Sequence, residues 1–170
     1  MSAPILTLQA PSGTGKTTLI ERMIQILTED GFSVAALKHA GHAHTLDKPG
    51  SDSHRYRAAG ACRSAVMNEH TLAVFGPTIP GGPRRLAASL FPEADLVLAE
   101  GWRGHGLPVL RLHRRGAPAH GAWSTPDPVV AWATDGQAAP DGLATLPIDE
   151  PSIVVDWILS HLGVPRQPLG

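Results

Sequence analysis

Residues Ala10 to Thr17 read APSGTGKT, and these residue types in this order suit the holding of a chain of phosphates. The phosphate-loop pattern is G-x-x-x-x-G-K-[ST]; Ala10 stands here in place of the first glycine. Gly13 and Gly15 permit backbone angles at which successive N–H groups turn inward toward phosphate oxygens. A helix beginning near Lys16 adds its positive end at the same spot. The Lys16 ammonium would then reach the β- and γ-phosphates, and the Thr17 hydroxyl would ligate Mg2+. Pro11, Ser12, Thr14 and Thr18 complete the stretch expected to line the nucleotide. Alanine at position 10 is acceptable provided that residue has a negative φ.

A phosphate loop works with a second acid, placed at the end of a neighbouring strand, that anchors Mg2+ directly or through water. The run DLVLAEG supplies Glu100 at the C-terminal end of an apolar strand, where ligands sit in an open parallel sheet. Asp95 begins the same strand and belongs at the opposite edge, as a turn residue. Lys38, His39, His42 and His44 follow the second strand and emerge beside the phosphate loop. Histidine spacings of three and two match no firm zinc signature. Contact with an anion or with a second ligand is one reading of these residues, and an exposed loop with incidental histidines is another. Asp47, Asp52, Ser53 and Arg55 extend the same polar stretch.

The elements that must position these residues follow from the apolar pattern. Ile5 to Gln9 is a buried strand entering the phosphate loop. Leu19, Ile20, Met23, Ile24 and Leu27 share one helical face, and Gly31 stops that helix. Ser33 to Leu37 is the next strand, completing a β-α-β unit. Asp52 to Ala59 reads as a short helix, and Arg63–Met67 with Thr71–Phe75 as a hairpin across NEH. Pro83 opens a helix carrying Leu86 and Leu90. Strands are expected at Leu96–Ala99, Val109–Leu112 and Val129–Ala133, and a last helix from Pro151 to Gly163. The fold class is therefore α/β of the P-loop NTPase kind: a mostly parallel sheet with helices on both faces, plus an antiparallel hairpin added at an edge. One nucleotide-binding domain is expected over residues 1–163, with a flexible tail over 164–170.

Composition narrows the class further. At 42% hydrophobic and 17% charged residues the chain is neither disordered nor a membrane protein, and a net charge of −1 gives no reason to expect nucleic acid or an anionic membrane as partner. The only lysines are Lys16, Lys38 and Lys48, so two of the three fall in or beside the motifs above. The single cysteine, Cys62, excludes an intrachain disulfide framework. The first residues read as a strand and not as a signal peptide. A soluble, cytoplasmic protein is expected.

Several of these features occur together in one known family. Lys38-His39, His42, His44, Asp47, Pro49-Gly50, Asp52-Ser53 and, after an apolar strand, Glu100-Gly101-Trp102 follow a phosphate loop in that order. This arrangement resembles the molybdopterin-guanine dinucleotide biosynthesis adapter family, MobB, from the phosphate loop to about Trp102. The departures are Ala10, Ser51 where the family commonly has lysine, Ala43 between histidines that are commonly adjacent, and Trp102 where phenylalanine is usual. The resemblance implies a GTP-binding homodimer that uses Mg2+ and is at most a weak GTPase. It would assist a MobA-type molybdenum cofactor guanylyltransferase, which joins GMP to molybdopterin, and would itself meet molybdopterin. Lys38 and His39 would lie at the nucleotide. Asp135, in ATDG at the end of a late strand, could accept hydrogen bonds from a guanine edge, although Asp before Gly is also an ordinary turn.

Two other functions fit the phosphate loop. A small-molecule kinase would use ATP, with RRGAPAHGAW as a lid and Arg114 and Arg115 clamping the transferred phosphoryl group. A nickel or other metallochaperone GTPase would use the histidine loop.

Overall fold

The structure, a computed structural model, describes residues 2–40, 45–117, 126–136, 139–140 and 142–166. It divides into two compact units, one running to His39 and resuming at Gly82, the other spanning Ala40–Gly81.

The larger unit holds a six-stranded sheet in the order β2-β5-β1-β6-β7-β8. Its strands are β1 (Ile5–Gln9), β2 (Val34–Lys38), β5 (Leu96–Glu100), β6 (Val109–His113), β7 (Val129–Thr134) and β8 (Ala144–Pro147), and every adjacent pair is parallel. Parallel strands covered on both faces read as near-continuous apolar runs. β1 is accordingly buried along its whole length, as are the first four residues of β5. Leu6, Leu8, Leu96, Leu98, Leu110 and Leu112 point to the face taken by α1 (Lys16–Glu29) and α4 (Pro151–Leu162). Ile5, Val97 and Ala99 point to the other face, where α3 (Gly82–Leu90) contributes Ala87 and Leu86. The doubly covered, mostly parallel sheet expected from the sequence is present.

In the smaller unit α2 (Asp52–Ala58) precedes the antiparallel pair β3 (Ser64–Met67) and β4 (Leu72–Phe75). The hairpin forms where the pattern indicated. It does not extend the edge of the large sheet, as expected from the sequence, but makes a two-stranded sheet of its own. β8 went unrecognised in the sequence. It is four residues long, lies at the edge, and ends in Pro147, which an edge strand tolerates because no further ladder bond is needed there. At the C-terminal end Val164 N–H donates to the Leu159 carbonyl (2.9 Å), and Arg166 pairs with Asp30 and Asp156. Among the described residues no helix is long and apolar enough to cross a membrane.

Candidate functional site

β1 delivers the chain to Ala10, and α1 starts at Lys16, so the phosphate loop spans the gap between the sheet edge and a helix N-terminus. Gly13 (φ 79°) and Gly15 (φ 90°) take left-handed angles that a side chain would oppose. Gly15 is the N-cap of α1 and supplies no side-chain cap, which leaves the first helical N–H groups to an external acceptor. Ala10 is buried, and no described non-glycine residue has positive φ, so alanine here carries no backbone strain. The Thr14 hydroxyl donates to the Pro11 carbonyl (3.0 Å) and closes the loop on itself.

The Lys16 ammonium lies over this loop, donating to the carbonyls of Ala10 and Pro11, each at 3.1 Å. Its position fixes the relation to the second acid. β5 is in register with β1 at Leu8↔Glu100 and with β2 at Lys38↔Glu100, so all three strand ends meet. Glu100 Oε1 is 4.0 Å from Lys16 Nζ, and Glu100 Oε2 is 3.6 Å from Lys38 Nζ. Burial lowers the Lys16 pKa from its ordinary value; Glu100 works against that, while Arg103 and Lys38 add to it. Lys16, Lys38 and Glu100 are thus brought together as the sequence indicated. Ser12, Gly13, Thr17 and Thr18 are exposed around the loop and the start of α1, with Pro11 partly so.

His39 continues the β2–β5 ladder by one bond, its N–H donating to the Glu100 carbonyl at 2.8 Å. Its ring lies 4.9 Å from that of Trp102, which in turn lies 5.5 Å from His105. Gly101 makes this approach possible: a Cβ there would lie 2.6 Å from the His39 carbonyl oxygen, and its φ is +82°. His42 and His44 lie outside the described residues. Among the described residues no three His, Cys, Asp or Glu side chains form a metal-holding group.

The turn that leaves Glu100 is held from a distance by Asp127, a residue the sequence did not single out. Its carboxylate accepts from Gly104 N–H (2.7 Å), Gly106 N–H (2.8 Å) and the Gln9 amide (3.3 Å). Burial opposes the charged form, but these bonds, with the His105 N–H, outweigh it and hold the carboxyl below its usual value. Gln9 is the last residue before the phosphate loop, so one carboxylate ties together the exits of β1 and β5. Its local sequence, PDP, carries no signal beyond a turn.

On the far side of the loop, a pocket of about 250 Å³ opens at the start of α1 among Gly13, Gly15, Thr18, Arg22, Arg114 and Asp149. A cleft of about 630 Å³ lies past the ends of β7 and β8, lined by residues that include Thr134, Asp135, Gly136, Leu146, Ile148 and Asp149. Asp135 therefore lines a cleft, with one oxygen accepting from the Arg115 N–H at 2.8 Å. Arg114 is not arranged as a phosphoryl clamp of the kind a kinase would need; its guanidinium binds Asp149 at 2.7 and 3.4 Å. Of the proposed lid, residues 118–123 lie outside the described residues. In the smaller unit Asp47 is spoken for internally, accepting from the hydroxyls of Ser51 (3.0 Å) and Ser53 (2.7 Å) and pairing with Arg57, while Arg55 pairs with Asp52. The Asp-Ser stretch is thus a clamp on the start of α2.

Comparison with known proteins agrees with this geometry. Residues 5–135 match the family model described as molybdopterin guanine dinucleotide synthesis protein B, MobB. The molybdopterin-guanine dinucleotide biosynthesis adapter protein of Escherichia coli is 35% identical over 118 residues, covering 67% of each chain. That of Haemophilus influenzae is 34% identical over 114 residues, covering 66% of this chain and 64% of the relative. The Bacillus subtilis protein of the same description, termed probable, is 30% identical over 164 residues, covering 94% of this chain and 93% of its own. The crystal structure of Bacillus subtilis MobB superposes with a TM-score of 0.71 at 28% identity, over 94% of this chain and 98% of that one. With the family model spanning most of the sequence and the fold shared nearly end to end, the chain belongs to the MobB family.

Proposed function

We propose that the chain acts as an adapter in molybdopterin guanine dinucleotide biosynthesis by binding GTP with Mg2+ on its phosphate loop. The observation that carries this is the meeting of Lys16, Lys38 and Glu100 at a glycine-turned loop that leads into a helix start with no side-chain cap. A hydroxyl and a carboxylate are the hard oxygen donors that Mg2+ prefers when it also takes phosphate oxygens. Thr17 and Glu100 would hold it, and the ion would supply neutralisation of phosphate charge. Lys16 would exchange its two loop carbonyls for phosphate oxygens, and Lys38 and His39 stand where the terminal phosphate or a second ligand would come. Asp135 would accept from the guanine edge in the cleft.

Hydrolysis would be weak, because Glu100, which pairs with Lys38 and would hold Mg2+, is not free to activate a water. Binding and delivery are then the main task, with a MobA-type molybdenum cofactor guanylyltransferase as partner, molybdopterin as the compound served, and the cytoplasm as the compartment. A homodimer fits the exposed apolar hairpin. Competitive calorimetry of GTP, ATP and CTP in the presence of Mg2+ tests the reading. GTP should win clearly; a preference for ATP would return weight to a kinase, and binding of none would remove the nucleotide altogether.

A further inference from the structure

Ile148 and Asp149 line both the pocket at the start of α1 and the cleft beyond β7 and β8. A nucleotide is a linear object, with phosphate at one end, base at the other and ribose between. With the phosphates on the loop and the base beside Asp135, the sugar falls at the wall the two spaces share. We propose that Asp149 determines specificity for the sugar, its carboxylate accepting hydrogen bonds from the ribose 2′- and 3′-hydroxyls, with Arg114 as the residue that positions it. This assignment rests on the nucleotide reading above.

The chemistry of the group suits the task. A carboxylate is an acceptor with about four lone-pair sites, and two adjacent hydroxyls are matching donors; acids take ribose hydroxyls in this way in dinucleotide folds. Arg114 occupies one site on each oxygen of Asp149, at 2.7 and 3.4 Å, and leaves the other two. The Asp149 side chain remains 63% exposed, so its open side is accessible from the pockets it lines. The Arg114 hydrogen bonds, aided by the charges of Arg114 and Arg22, hold the Asp149 carboxyl below its ordinary value, so it is an acceptor at neutral pH. Ile148, buried in the same wall, offers an apolar surface to the sugar ring. An exposed ion pair contributes little to stability, whereas a two-pronged hold on a carboxylate at this junction fixes the direction of its free lone pairs.

The test is competitive binding of GTP and 2′-deoxy-GTP to the whole chain with Mg2+ present. Wild type should prefer GTP by about tenfold or more, the loss expected for one hydrogen bond to a charged acceptor. Asp149→Ala should bring that ratio close to unity by weakening GTP, which loses two hydrogen bonds, more than 2′-deoxy-GTP, which loses only the one from its 3′-hydroxyl, and Arg114→Ala should lower the ratio part of the way. Equal affinity of wild type for the two nucleotides overturns the assignment. So does an Asp149→Ala variant that weakens both by the same factor, since a merely structural residue would do that. Binding of neither nucleotide overturns the nucleotide reading itself, a result distinct from equal binding of both.

Discussion

Lys16 spends its hydrogen bonds on the carbonyls of Ala10 and Pro11 and sits near Glu100, largely withdrawn from water. Those contacts hold the Lys16 ammonium over the loop, beside the uncapped start of α1. A neutral side chain there would leave the carbonyls turned toward a polyanion with no cation between. Lys16→Ala is therefore expected to weaken GTP binding by at least about tenfold, the scale of a lost charge-assisted bond, while thermal stability changes little. Calorimetry with a parallel melting curve checks both, and retained affinity would falsify the phosphate assignment. Glycine acts at this scale too. Gly101 must be glycine on two counts, a φ of +82° and the His39 carbonyl at 2.6 Å from any Cβ. Gly101→Ala should cost about 1–2 kcal/mol from the left-handed backbone alone, seen as a lowered melting temperature, and should move the His39 and Trp102 rings apart.

The elements explain why some of this could be read from the sequence and some could not. The phosphate loop was legible because its geometry is written in consecutive residues, a strand, two glycines with positive φ and a helix start. Glu100 was legible because an apolar run that ends in an acid marks the exit of a parallel strand. Asp127 was not, since it acts on Gln9 across 118 positions and on Gly104 across 23, and sequence spacing says nothing of either. Asp149 was missed with β8, whose four residues lack the β-branched run that announces a strand and leave PIDEP looking like a plain turn before α4. The polar stretch from Asp47 to Arg55 shows a limit of a different kind. Its residue types suit a ligand, but Asp47 is already engaged by Ser51, Ser53 and Arg57, with burial alone opposing its charged form. Asp127 gives this scale its own prediction. Its folded pKa lies below the unfolded value of about 3.9, so its contribution is complete above that value and is lost as pH falls through the folded one. Asp127→Asn, which sets an amide N–H against donors, should cost about 1–3 kcal/mol at pH 7. The gap between wild type and variant in urea melts should close as the pH drops below about 4; a gap independent of pH would mean that the carboxylate charge is not what holds the turn.

At the scale of the whole molecule, the hairpin is the part least accounted for by its own packing. A lone two-stranded sheet is marginal in water, and β3–β4 is more exposed than most: Val66, Met67, Leu72 and Val74 are 52, 76, 62 and 55% accessible. Val66 and Met67 are neighbours on one strand and so project to opposite faces, which leaves apolar side chains on both. The outer backbone groups of both strands also have no third strand beside them among the described residues. Such an edge pairs readily with a copy of itself, and a two-fold contact would cover an apolar face from each copy while adding ladder bonds. Light scattering at micromolar concentration should therefore report a dimer. Leu72→Lys together with Val74→Lys should shift it to monomer, because both substitutions place an ammonium where the partner would bury a methyl group, and both sites are exposed enough to spare the fold. GTP affinity should survive in that monomer if the phosphate loop, Glu100 and the Asp135 cleft, all carried by the larger unit, are a complete site in one chain. A dimer that persists through both substitutions would place the contact elsewhere, and a wild-type monomer would leave the hairpin's apolar surface for a different partner.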